Sequence, residues 1–160
     1  MTRVWHTIGE WQERRRDLEG SSIGFVPTMG ALHGGHASLV QRCREENESA
    51  VVSIFVNPLQ FDDPKDLERY PRTLNEDLEL LSGLGADDVI LPSQSELYPI
   101  GYHFRMETDC STELMEGKYR PGFLRGVLTV VLNLLNLVHA DRAYFGEKDY
   151  QQLKVVTEMA

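Results

Sequence analysis

Four short apolar runs, each closed by proline, asparagine or glycine, set the rhythm of this chain. Ile23-Gly24-Phe25-Val26, Ala50 to Val56, Asp88 to Pro92 and Ala143-Tyr144-Phe145 read as strands, the first as a buried one and Ala50 to Val56 as continuous enough to be buried on both faces. Between them lie segments with helical spacing. Thr7 and Glu10 have capping-box spacing for a helix from about Ile8 to Leu18 that ends near Gly20, and Thr73 and Glu76 repeat it for a helix to about Leu84 with Gly85 just past its end. A further helix opens at His36 and runs through Cys43, and Asp62-Asp63-Pro64 reads as a cap with proline at the first helical position. The most apolar stretch, from about Gly126 to Val138, reads as a buried helix, and the last helix starts near Glu147. A short strand around Phe104-Arg105-Met106-Glu107 and a short helix near Thr112–Glu116 fill the less regular middle. Strands alternating with helices predict an α/β fold, a doubly wound parallel sheet whose ligands gather at the carboxyl ends of the strands.

Composition narrows the function classes. The 160 residues suit one domain, and 41% hydrophobic with 26% charged residues is that of a folded globular protein. Lys and Arg number 16 against 25 Asp and Glu, and the net charge of −9 argues against a nucleic-acid or anionic-membrane binder. Any phosphate site must therefore be local. Arg14-Arg15-Arg16 is the densest basic run and reads as a solvated helix face. The two cysteines, Cys43 and Cys110, have neither zinc nor disulfide-framework spacing, which fits a reducing cytoplasm. The N-terminus lacks the apolar core of a signal peptide, and the Phe123–Val138 stretch is too short and too interrupted to span a bilayer.

The chemistry concentrates where strands end. Pro27-Thr28-Met29-Gly30-Ala31-Leu32-His33-Gly34-Gly35-His36 joins the first predicted strand to a helix N-terminus, an arrangement that attracts anions through free N–H groups and the helix dipole. His33 and His36, three apart, are placed to donate to a phosphate. A zinc-protease reading needs a carboxylate between the histidines, and Gly34 and Gly35 stand there instead. After the second run, Asn57 and Gln60 each offer an amide donor and acceptor, with strand capping by Asn57-Pro58 and a solvated Gln60 as the plain alternative. After the last run, Gly146-Glu147-Lys148-Asp149 opens another helix, with Lys148 and Gln152 four apart on one face. A lysine there opposes the helix dipole and points to a nearby anion; an ordinary surface lysine is the alternative.

Taken together, the Pro27–His36 segment, Phe55-Val56-Asn57-Pro58-Leu59-Gln60-Phe61, Tyr70-Pro71-Arg72-Thr73 and Phe145-Gly146-Glu147-Lys148-Asp149-Tyr150-Gln151-Gln152-Leu153 resemble the pantoate–β-alanine ligase (pantothenate synthetase) family. His33-Gly34-Gly35-His36 is similar to the HIGH element of the nucleotidyltransferase superfamily, so the resemblance implies a Rossmann-like sheet of that type. The implied reaction is ATP-dependent condensation of pantoate with β-alanine through a pantoyl adenylate, with Mg2+ accompanying ATP. By the same resemblance, Met29, Gly30, Ala31, Leu32, His33, Gly34, Gly35 and His36 border ATP together with Gly146, Glu147, Lys148 and Asp149. His36 is the catalytic histidine, Gln60 and Gln152 hold pantoate, and Gln60 also adjoins β-alanine. A cytoplasmic homodimer is implied, without nucleic-acid or membrane partners. Residues 1–160 correspond to the family's nucleotide-binding domain, without the Met-Ser-Ser-Arg loop and C-terminal domain that close over the site in the family. A catalytically inactive ATP- and pantoate-binding module is the alternative. Two further departures are Phe123, in Arg120-Pro121-Gly122-Phe123-Leu124, where the family has histidine, and Asn133, where it has lysine.

Overall fold

A computed structural model describes residues 1–108, 118–120 and 122–160. Its strands are β1 (Arg3–Trp5), β2 (Ile23–Thr28), β3 (Ser49–Ile54), β4 (Asp88–Ile90) and β5 (Arg142–Ala143). They form one sheet in the order β1-β4-β3-β2-β5, and every pair is parallel. The helices are α1 (Ile8–Asp17), α2 (Gly34–Glu46), α3 (Pro64–Arg69), α4 (Leu74–Gly83), α5 (Gln94–Leu97), α6 (Phe123–Val138) and α7 (Tyr150–Met159), with a 3-10 turn over Pro58–Gln60.

Alternation along the strands divides the core in two. Ile23, Phe25 and Val51 face α1, α6 and α7, whereas Val26, Ala50 and Val52 face α2 and α4. Gly24 allows the second layer to close, because a Cβ there would collide with the Asn47 side chain and Cys43 Sγ of the α2 end. Burial pushes the Cys43 thiol up to about 12, so it packs as an inert apolar group. Pro27 is tolerated inside β2 for a positional reason. The carbonyls of Ile23 and Phe25 accept from Asp141 and Tyr144 on the β5 side, and β5 pairs only as far as Phe25, so Pro27's missing donor falls where β5 has ended.

Several expectations hold. The Thr7–Glu10 capping box forms, Asp63 caps α3 by accepting from Lys65 N at 2.8 Å, and α4 ends with Gly85 at φ +77°. Others are corrected. β1 was not expected; it is a three-residue edge strand recruited by β4. Arg14 is no solvated residue, since its Nε lies 3.2 Å from Asp88 Oδ1, with Asp88 fully buried at the start of β4. Arg15 likewise donates through Nε to the Val138 carbonyl at 3.0 Å, tying α1 to the end of α6. Thr73 precedes α4 but makes no cap; its hydroxyl donates to Asp77 Oδ2 at 3.3 Å. Phe104–Glu107 is not a strand. Met106 N donates to Thr129 Oγ1 on α6 at 3.0 Å, so this segment runs along a helix and leaves Phe104 exposed. The last helix begins at Tyr150, three residues later than expected, so Lys148 precedes it and the four-residue helical spacing to Gln152 does not apply. The expected helix near Thr112–Glu116, and Cys110, lie outside the described residues.

Asp88 also accepts from Trp5 Nε1 at 2.9 Å and pairs with Arg3 at 3.3 Å, so one buried carboxylate binds β1 and α1 to β4. Arg14→Ala strips away its most buried cation and should lower unfolding stability by about 3 kcal/mol in urea titrations. Stability within 0.5 kcal/mol of wild type, on the order expected for an exposed pair, would contradict this assignment.

Candidate active site

The sheet grows from β2 through β3 to β4 in one direction, and β5 joins on the other side of β2. The reversal leaves a crevice beyond the ends of β2 and β5, where ligands of open α/β sheets bind. Both glycine-bearing turns singled out in the sequence lead into it.

The turn after β2 is built against α4. Gly30 (φ +78°) and Ala31 (φ +51°) are both left-handed, an arrangement that costs a non-glycine residue about 1 kcal/mol. Asp77, 3% exposed, holds them there: its carboxylate accepts from Ala31 N at 3.0 Å and Leu32 N at 2.8 Å. A Cβ on Gly30 would sit 3.0 Å from Asp77 Oδ2, so this position is closely packed as well as left-handed. Sequence reasoning missed Asp77. The available sign was its four-residue spacing from buried Leu81, which places a carboxylate on the core face of α4 where it needs donors.

The two histidines cap α2 with each other. His33 is the N-cap residue, and its Nδ1 accepts from Gly35 N at 3.1 Å; His36 Nδ1 accepts from His33 N at 3.4 Å. Their ring centroids are 4.2 Å apart. An Nδ1 that accepts carries no proton, so in both neutral rings the N–H is Nε2, turned away from the cap and available to a ligand. Burial pulls the His36 pKa below 6.5, helped by neighbouring His33 and Lys148 and opposed by Asp77. The cap thus leaves both Nε2 atoms facing out at a positive helix end.

Among the described residues, several cavities adjoin this turn. One of about 260 Å³ joins His33, His36, Gln60 and Gln152 to an apolar wall of Val127, Val130 and Val131 from α6. A second, about 380 Å³, shares Met29, Gln60, Asp149 and Gln152 and adds Arg120, Phe123 and Lys148. An open cleft of about 850 Å³ runs past Gly35, Gly146, Glu147 and Lys148. Gly30 lines a separate recess beside Asp77. Ala31, Leu32 and Gly34 line none of these, and the Ala31 and Leu32 N–H groups are committed to Asp77. Gln60 is 8% exposed, so the solvated alternative does not apply. Asn57 is fully buried and caps the 3-10 turn by accepting from Leu59 N at 3.3 Å. Gly126 lets α6 approach this turn, since a Cβ there would run into the Leu59 carbonyl. Phe123, the departure from the family pattern, lies against the Arg120 guanidinium at 3.9 Å, and Arg120 Nη2 donates to the Gln60 carbonyl at 3.2 Å. Asn133, the other departure, donates to the Tyr102 hydroxyl at 3.2 Å. Among the described residues, no three His, Cys, Asp or Glu side chains are grouped to hold a metal ion.

A parallel α/β sheet with two glycine turns, paired histidine donors and two glutamine amides at its switch point defines a nucleotidyltransferase-like domain with room for a small polar substrate. The family model described as Pantoate-beta-alanine ligase matches residues 3–160, and the chain belongs to that family. It is 50% identical over 157 residues to the pantothenate synthetase of Legionella pneumophila (strain Lens), covering 98% of this chain and 62% of that protein. The Coxiella burnetii (strain RSA 331 / Henzerling II) pantothenate synthetase is 46% identical over 160 residues, again with 62% of the relative covered. Among solved structures, the Francisella tularensis pantoate-beta-alanine ligase complexed with beta-gamma ATP and beta-alanine superposes with a TM-score of 0.96. Its identity is 42%, covering 99% of this chain and 62% of that one. The chain thus spans less than two thirds of the length of these relatives.

The lowered His36 pKa fixes the direction of a pH dependence. Because the folded state disfavours protonated His36, its contribution to stability is complete above pH 6.5 and is lost as pH falls through the lower folded value. An NMR titration should place the His36 midpoint below 6.5, with the His33 amide signal shifting in step as its acceptor is protonated. A midpoint at or above 6.5 would contradict the capping arrangement.

Proposed function

We propose that this chain supplies the nucleotide-binding and pantoate-activating centre of a pantoate–β-alanine ligase. The observation that carries the reading is the meeting of Gln60 and Gln152 with His33 and His36 around one small cavity whose far wall is valine. Pantoate has matching chemistry: a carboxylate and two hydroxyls for amides, and a geminal dimethyl group for the Val127, Val130 and Val131 surface.

On this reading ATP lies along the cleft between the α2 N-terminus and the Gly146–Asp149 turn, bordered by Gly35 and, where the adjoining cavity opens, by Met29, His33 and His36. Its α-phosphate faces the histidine pair. A pantoate carboxylate oxygen attacks the α-phosphorus, the bond to the β-phosphate oxygen breaks, and pyrophosphate leaves with those electrons. Charge grows on the phosphate oxygens, and the Nε2–H groups of His36 and His33 with the Lys148 ammonium are preorganised to stabilise it. The β-alanine amine then attacks the acyl carbon, loses a proton, and displaces AMP to leave the amide of pantothenate. Gln60 borders both cavities and so adjoins both acids. On this reading Mg2+ enters with the ATP phosphates, and no step here depends on it. Residues 1–160 act as one nucleotide-binding unit. The family resemblance supports a cytoplasmic homodimer, and no described helix is long and apolar enough to cross a membrane.

The test is exchange of labelled pyrophosphate into ATP. Exchange should require pantoate and fall by about 10²–10³-fold in His36→Ala, the usual loss on removing one transition-state donor. Exchange that ignores pantoate or survives the substitution would overturn the proposal, and ATP and pantoate binding without exchange would favour a binding module.

A further inference from the structure

The Gln60 amide has a fixed direction, and its origin lies outside the cavity. Asn57 sits behind Gln60, fully buried, with four hydrogen bonds to its side chain. Two involve backbone groups that act in only one sense: Leu59 N donates to Oδ1 at 3.3 Å, and Nδ2 donates to the Gly126 carbonyl at 3.1 Å. This settles which end of the Asn57 amide is oxygen. The second Nδ2 proton goes to Gln60 Oε1 at 2.8 Å, so Gln60 presents its NH2 group to the cavity. The remaining lone pair of Asn57 Oδ1 accepts from the Tyr98 hydroxyl at 2.9 Å. Donation therefore runs one way, from Tyr98 to Asn57 to Gln60 and on into the cavity.

Tyr98 is held for this task. It follows α5, whose Ser93–Glu96 capping box is tied to the first turn of α1 by Ile8 N donating to Glu96 Oε1 at 2.8 Å. Its own N–H donates to the Gln94 carbonyl at 2.8 Å, and its ring packs edge-on to Phe55 with centroids 6.1 Å apart. Burial pushes its phenol pKa up, so the hydroxyl stays a donor across the working pH range.

We propose that Tyr98 is a positioning residue which, through Asn57, locks the Gln60 side chain as a donor and restricts its substrate partner to an oxygen acceptor, a carboxylate or hydroxyl. The proposal rests on the reading of this cavity as the pantoate site. It adds that one lone pair of Gln60 Oε1 is committed to Asn57, so the NH2 group is what Gln60 turns toward its substrate.

Tyr98→Phe removes the hydroxyl and keeps the ring. Calorimetric titration should show pantoate binding weakened about five- to tenfold with ATP affinity unchanged, the scale of one net hydrogen bond. Tyr102→Phe is the control: its ring packs tilted against Tyr98 with centroids 5.3 Å apart, but its hydroxyl, which accepts from Asn133, takes no part in the relay. This variant should bind pantoate as wild type does. Unchanged pantoate affinity in Tyr98→Phe, or equal weakening in both variants, would overturn the proposal. The side-chain amide signals of Gln60 and Asn57, followed by NMR without ligand, give a second readout that does not depend on the cavity's occupant. They should move in Tyr98→Phe and stay in place in Tyr102→Phe. If wild type binds no pantoate, the reading of the site fails, and these signals alone decide the relay: no movement in Tyr98→Phe overturns it.

Discussion

The Asp77 carboxylate is the constraint on which the site depends. The chain leaves β2 through two consecutive left-handed residues, one of them alanine, and then starts a helix within three positions. Such a turn does not persist without partners for its amides. Asp77 supplies them from α4, the helix that shares a layer with α2. With the turn held, His33 falls at the N-cap of α2 and can trade hydrogen bonds with His36. The ring orientation that leaves Nε2–H free thus follows from a carboxylate that never faces the crevice. Sequence motif and fold meet here: the glycines permit the turn, but α4 selects it.

A second anchoring system holds the substrate side. Gln60 lies on a 3-10 turn that would be a loose loop if α6 stood farther away. Gly126 removes the side chain that would keep α6 off, and the Gly126 carbonyl then receives Asn57. Close backbone approach, a buried asparagine and the tyrosine just after α5 together give one amide a single orientation. The histidine pair and the glutamine thus share a principle: each functional group is fixed by a hydrogen bond made on its far side, with the near side left for a ligand.

The features legible in the sequence were those carried by near neighbours. Apolar runs ending in turn residues located β2 to β4 and touched β5 only at Ala143, since that strand is Arg142–Ala143, and capping spacing located α1. The histidine turn was recognisable because its parts are contiguous. What escaped was contact between distant segments. β1 is too short to announce itself and exists because β4 offers an edge. Arg14 looked solvated within a charged helix, and only the fold brings Asp88 to it, 74 positions away. Thr73 and Glu76 had cap spacing, but Asp77 drew the threonine hydroxyl to itself. Phe104 to Glu107 alternated like a strand but runs along α6, where Met106 N donates to Thr129 Oγ1. Asp77 and Tyr98 act over separations of 45 and 41 residues; spacing from Leu81 could place Asp77 on the core face of α4 but could not tell which turn it holds.

The central claim is that the two strand-end turns and the glutamine turn form one centre where a phosphate meets a carboxylate. A crystal structure of this chain with a non-hydrolysable ATP analogue and pantoate tests it most directly. The account predicts the α-phosphate within hydrogen-bond distance of His36 Nε2, pantoate between Gln60 and Gln152 with its methyl groups against the α6 valines, and the Nδ1 cap intact. An α-phosphate away from the histidines, or pantoate outside the glutamine cavity, would contradict it.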